Sequence, residues 1–184
     1  MAYDLLIKNG RVIDGSGLPA FRGDVAVSHG KIVATGKLRD SATRTIDADG
    51  LVVAPGFIDN HCHYDAQVTW DPMCSFSCYH GATSVIIGNC SLALTPVRRG
   101  SEERLAEFLS YVEAIPMEVL RTVNMSWETV GEYMDTLDKR LGVNVGALIG
   151  HSAVRYYVMG DDCQGRAATP DEVEDMRGIV RDGM

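Results

Sequence analysis

A chain of 184 residues with a net charge of −8 and no run of Lys or Arg is poorly suited to nucleic acid or to an anionic membrane surface. No apolar stretch approaches the roughly 18 residues that a spanning helix needs, and Met-Ala-Tyr-Asp is not the basic-then-apolar start of a secretory signal, so a cytoplasmic protein with no membrane partner is expected. Five cysteines (Cys62, Cys74, Cys78, Cys90, Cys163) form an odd set without CxxC spacing, which argues for reduced thiols over a disulfide framework.

From Tyr3 to about Val53 the pattern is all β. Leu5 and Ile7 alternate into Asn9-Gly10 and out through Val12-Ile13, which predicts a hairpin. Val25 and Val27 alternate into His29-Gly30, and Lys31 to Ala34 return, so His29 reads as a turn residue tolerant of positive φ. Strands this short do not bury a core of their own. Residues 1–53 are therefore expected to form an N-terminal β domain, half of a composite β-sandwich.

At Ala54-Pro55-Gly56 the character changes to apolar strands alternating with amphipathic helices, the α/β signature of a parallel sheet. Strands are predicted over Phe57–His61, Thr83–Gly88 and Asn144–Ile149, the second as a β-branched run covered on both faces. Helices are predicted over Glu102–Glu113, over Trp127–Leu141 with Ser126 as N-cap, and from Pro170 onward. In the last, Thr169 and Glu172 make a capping box, and Val173, Met176 and Val180 face inward. All three strands end in polar residues, which in a (β/α)8 barrel is the face where active sites are built. A whole barrel takes about 250 residues, so residues 54–184 have room for about three βα units and the chain is expected to be the N-terminal part of a longer enzyme.

The chemistry concentrates in Gly50 to Asp65, GLVVAPGFIDNHCHYD. Alternation on a strand puts Asp59, His61 and His63 on one face and Asn60 and Cys62 on the other. Two convergent imidazoles and one anionic ligand begin a zinc-type site, although a bare HxH also describes two polar residues leaving a strand for solvent. Cys90, at the end of the second strand, is either a thiolate ligand or a small buried hydrophobe. Asp59 could orient an imidazole or satisfy backbone N–H groups. Tyr64, Asp65 and Gln67 lie in the first strand-to-helix loop, where they could touch substrate or be solvated. His151 and Arg155 end the third strand and open its loop, with a cleft-facing or a structural role. Cys74 and Cys78, near His80, lack a convincing fourth ligand for a second metal site.

The segments PGFIDNHCHYDAQVTWDP and HGATSVIIGNCSLALTPV resemble the start of the barrel in the amidohydrolase superfamily, most closely the N-acyl-D-amino-acid deacylase (D-aminoacylase) family. Its pattern reads roughly PGFIDxHTHYDAQ and then a strand ending in GNCG. The likeness continues through SWETVGEYMDTLD, NVGALIGHSAVRYYVMG and ATPDEVEDMRGIVRDGM, and so covers essentially the whole chain. Cys62 stands where the family usually has Thr, and Ser91 where it usually has Gly.

The resemblance implies a metal-dependent TIM barrel preceded by a small β-sandwich-like domain. It also implies His61, His63 and Cys90 as ligands of one or two Zn2+ or another divalent metal. The implied reaction is hydrolysis of a linear amide, an N-acyl-D-amino acid giving a D-amino acid and a carboxylate. The proton-shuttling carboxylate and the remaining histidine ligands are expected beyond Met184. A cyclic-amide hydrolase of the hydantoinase or dihydroorotase kind is the alternative chemistry. A catalytically inactive half-barrel module is the alternative of another class, and no useful activity is expected from residues 1–184 alone.

Overall fold

Residues 2–138 and 141–184 are described by the computed structural model, and they fall into two units divided between Gly56 and Phe57. The first unit contains β1 (Tyr3–Val12), β2 (Phe21–Ser28), β3 (Lys31–Gly36), β4 (Ala42–Asp47) and β5 (Val52–Val53). They form one mixed sheet in the order β3-β2-β1-β4, with β5 also pairing with β1. The β2–β3 connection is the expected hairpin: His29 and Gly30 sit at φ 53° and 71°, the twist that a two-residue turn between strands requires.

The Asn9-Gly10 hairpin does not form. β1 runs through these residues as a single ten-residue strand, and its register against β2 shifts between Ile7 and Gly10, a β-bulge. Neighbouring strands supply what a turn would have supplied internally. The Asn9 N–H donates to Asp24 Oδ1 at 2.9 Å, and the Asn9 side-chain amide donates to Asp47 Oδ1 at 2.9 Å. A side chain at position 10 would run into Val53, so glycine alone fits the bulge. Burial pushes the Asp24 carboxyl up, but the N–H groups of Asn9 and Leu38 and the nearby Lys8 outweigh it and hold the group below its usual range.

The second unit is built on a parallel sheet in the order β6 (Phe57–Asp59), β7 (Ala82–Ile87) and β8 (Asn144–Ala147). After β6 come a 3-10 turn at Gln67–Thr69 and α1 (Ser75–Tyr79). After β7 come α2 (Glu102–Glu113), α3 (Met117–Leu120) and α4 (Val130–Leu137). After β8 come α5 (His151–Met159), a 3-10 turn at Gly160–Gln164 and α6 (Pro170–Asp182). Strand followed by helix, three times over, is part of a βα barrel.

Alternation along β7 decides where its core lies. Val85 and Ile87 are fully buried on the helix-covered face, among Leu94, Leu105, Leu109, Tyr133 and Leu137. Burying each such side chain contributes about 1.5–3 kcal/mol. Ile86 points the other way and is only half-buried, so among the described residues this run is covered on one face, not both. Phe57 and Ile58 of β6 remain 70% and 69% exposed.

The helix that begins after Ser126 in the sequence pattern starts later, at Val130. Thr129 and Glu132 form the reciprocal capping box there, while Trp127 is buried and its indole N–H donates to the Leu94 carbonyl at 2.7 Å. Lys139 and Arg140, predicted to continue that helix, lie outside the described residues. α6 does begin at Thr169 with its capping box, but Val173 and Val180 are not buried. They line an open groove with Ile149 and Val154, because no described element covers that face. Among the described residues no helix is long and apolar enough to cross a membrane.

Candidate metal centre

β6 ends at Asp59, two residues short of the predicted strand end, so His61 and His63 sit in the loop beyond it. The alternation nevertheless persists. Cys62 turns inward, buried, with its S–H donating to the Ile86 carbonyl at 3.3 Å, and burial beside Asp59 pushes its thiol up to about 12. His61 and His63 turn outward, with ring centroids 5.4 Å apart. An ordered loop thus does what two more strand residues would have done, because the Cys62 N–H still reaches the Ile86 carbonyl at 3.4 Å.

The end of β7 brings the third group. Gly88 adopts φ 81°, and a Cβ there would collide with the Leu148 carbonyl, so the chain can turn off the strand only as glycine. Asn89 then donates to Asn60 O at 2.9 Å and to Ile86 O at 3.0 Å, stitching the two strand ends together. Cys90 follows, exposed, with its sulfur 3.2 Å from His61 Nε2 and 3.6 Å from His63 Nε2. The three donor atoms lie within 4.8 Å of one another, and no other group of three or more His, Cys, Asp or Glu is so placed among the described residues. Ligands on a tetrahedral zinc, with Zn–N near 2.0–2.1 Å and Zn–S near 2.3 Å, stand about 3.6 Å apart. The two sulfur–nitrogen spacings and the two-nitrogen, one-sulfur donor set therefore fit such an ion, with a position left for water.

The other candidates do not join this cluster and make hydrogen bonds of their own. Asp59 accepts the Ser77 hydroxyl at 3.0 Å and the His61 backbone N–H at 3.4 Å, so it holds backbone and not an imidazole. Tyr64 meets Ser77 through its hydroxyl at 3.0 Å. Asp65 is buried and accepts the Gly88 N–H at 3.3 Å, while burial pushes its carboxyl up to about 6. Tyr133, also buried, donates its hydroxyl to the Asp65 carbonyl at 2.8 Å. Gln67 is tied to Asp71 at 3.1 Å.

His151 and Arg155 belong to α5 and do not join the cluster. His151 borders the groove under α6, and the Arg155 guanidinium straps the carbonyls of Cys163 and Arg166 at 2.7 and 3.0 Å. Ser91, in the place of the usual glycine, keeps a left-handed backbone at φ 61°, and its hydroxyl pairs with that of Ser152 at 2.9 Å. Cys74 is fully buried, and burial pushes its thiol up to about 11.

Glu113, the last residue of α2, was not singled out by any motif. Its Oε1 lies 2.6 Å from His63 Nδ1, and its side chain is only 12% exposed. The sequence carries no signal for this contact, since it joins residues from different βα units.

The model of the amidohydrolase family matches residues 44–184. A D-aminoacylase of Alcaligenes xylosoxydans xylosoxydans is 35% identical over 185 residues, covering 99% of this chain and 36% of that protein. An uncharacterised protein of Mycobacterium tuberculosis is 39% identical over 180 residues, 94% of this chain and 28% of that protein. The crystal structure of an N-acyl-D-glutamate deacylase from Bordetella bronchiseptica, complexed with zinc and a phosphonate mimic of the tetrahedral intermediate, superposes with a TM-score of 0.82. It is 32% identical, over 100% of this chain and 36% of that one. The chain thus spans roughly a third of the length of the relatives it matches.

Proposed function

Because the chain belongs to the amidohydrolase family, we propose that it supplies the metal ligands from the first two barrel strands of an enzyme that hydrolyses N-acyl-D-amino acids to a D-amino acid and a carboxylate. The observation that carries this reading is the convergence of His61, His63 and Cys90, two imidazoles and one sulfur, at the C-terminal ends of adjacent parallel strands. The likeness to a D-aminoacylase and to an N-acyl-D-glutamate deacylase supports the substrate class. Zinc is the proposed metal because a soft thiolate beside two imidazoles suits it.

A divalent ion in this position polarises an acyl carbonyl and acidifies a water molecule. The chain's own residues prepare for it. His61 and His63 would hold it as neutral imidazoles, and Cys90 as the thiolate. Asn89 locks the two loops that present them, and Asp59 and Ser77 hold the backbone at His61. Ligands held this way converge without searching, which is what a precise site requires.

The full-length protein loaded with zinc is expected to release D-amino acids from N-acyl-D-amino acids, to leave the L-enantiomers largely uncut, and to lose activity on chelation. Preferential ring opening of hydantoins or dihydropyrimidines would overturn the substrate, and activity that survives exhaustive chelation would overturn the metal.

A further inference from the structure

We propose that Glu113 is a positioning residue for the metal site: its carboxylate accepts the His63 Nδ1–H and so turns the Nε2 lone pair of that ring toward Cys90. The inference rests on the metal reading of His61, His63 and Cys90. His63 is flanked at both ring nitrogens by one βα unit, with Glu113 Oε1 2.6 Å from Nδ1 and Cys90 Sγ 3.6 Å from Nε2. β7 delivers the sulfur and α2, the helix that follows it, delivers the carboxylate.

Nothing else in α2 explains this glutamate. It stands at the C-terminal end of a twelve-residue helix with no basic residue in its last turn, where the helix macrodipole opposes a negative charge. Its Oε1 is buried and receives no hydrogen bond among the described residues, which leaves His63 Nδ1, 2.6 Å away, as the group placed to compensate it. The helix end itself is fixed. Ala114 takes a left-handed conformation at φ 53°, and the Ser110 hydroxyl donates to the Ile115 carbonyl at 2.7 Å. A carboxylate on an imidazole Nδ1–H sets the tautomer and the ring orientation and makes Nε2 a better ligand.

The test measures zinc affinity by chelator competition in the full-length protein, for the parent, Glu113→Gln, Glu113→Ala and Cys90→Ser. Zinc affinity is expected to fall about 10-fold in the glutamine variant, which keeps an acceptor oxygen, and about 100-fold in the alanine variant. Ring nitrogen NMR of the metal-free protein is expected to show the His63 proton on Nδ1 in the parent and displaced from it in the alanine variant, a change that a merely structural role would not produce. Should the alanine variant misfold, the glutamine variant and the parent tautomer decide the matter. Parent-like zinc affinity in both Glu113 variants, with zinc lost in Cys90→Ser, overturns the positioning role and leaves the metal reading standing. Parent-like zinc affinity in Cys90→Ser overturns the metal reading and the positioning role with it.

Discussion

The five residues from His61 to Asp65 send their side chains into two different environments. His61 and His63 face the open end of the sheet beside the exposed Cys90, while Cys62 and Asp65 go into the interior, 8% and 3% exposed. Cys62 and Cys90 make the lesson plain, since they are the same residue type a short distance apart. One is surrounded by lone pairs that could share an ion; the other is desolvated, its thiol pushed up to about 12, and donates to a backbone carbonyl. Surroundings, not residue type, separate a ligand from a packing residue.

The largest effects should come from removing the outward groups. His61→Ala or His63→Ala is expected to weaken zinc binding by more than the ~100-fold that marks the upper end for an outer partner, whereas Cys62→Ala leaves zinc affinity unchanged and lowers stability by about 1 kcal/mol. Zinc titration against a competing chelator, beside chemical denaturation, reads both. A Cys62 variant that lost zinc would erase the distinction between the two sides.

Next in size is Asp65, on the inward side. Its folded carboxyl titrates at about 6 against an ordinary 3.8, so its contribution to stability is fully present below the unfolded value and is lost as pH rises through the folded one. That displacement corresponds to roughly 3 kcal/mol. In metal-free protein, Asp65→Asn is therefore expected to be near parity with the parent below pH ~4 and more stable by about 3 kcal/mol above pH ~7, by denaturant unfolding across that range. A gap that does not grow with pH would mean that the Gly88 N–H compensates the buried charge in full.

A smaller expected effect sharpens the same inward side. Tyr133→Phe deletes the hydroxyl that donates to the buried Asp65 carbonyl and is expected to cost about 1–2 kcal/mol of unfolding free energy without altering zinc affinity. A loss of zinc binding would show that the interior governs the ligands more tightly than its packing implies.

Local patterns were legible where their cause is local. The reciprocal hydrogen bonds of Thr169 and Glu172 span one turn, the limits of α2 follow from its own apolar spacing, and the His29-Gly30 turn needs only two residues of positive φ. The opposite facing of Cys62 and its flanking histidines is likewise written in the chain, because alternation is a property of extended backbone, and it outlasted the strand itself. Ser126 misled as a cap because Thr129 has Glu132 three residues on, and the reciprocal pair prevails over a lone hydroxyl.

What the sequence by itself determined is therefore the three parallel strands of the second unit, the helices α2 and α6, and the opposite facing of Cys62 and its two flanking histidines. Only the tertiary structure decided that Asn9-Gly10 is a bulge, since Asp24 and Asp47 on neighbouring strands take its hydrogen bonds. The same is true of Asp59, which serves backbone and Ser77, and of Glu113, which meets His63 across 50 positions of chain. The physical reason is common to all of them: a polar group's role is set by whichever partner burial leaves within reach, and for these residues that partner comes from another element of the fold.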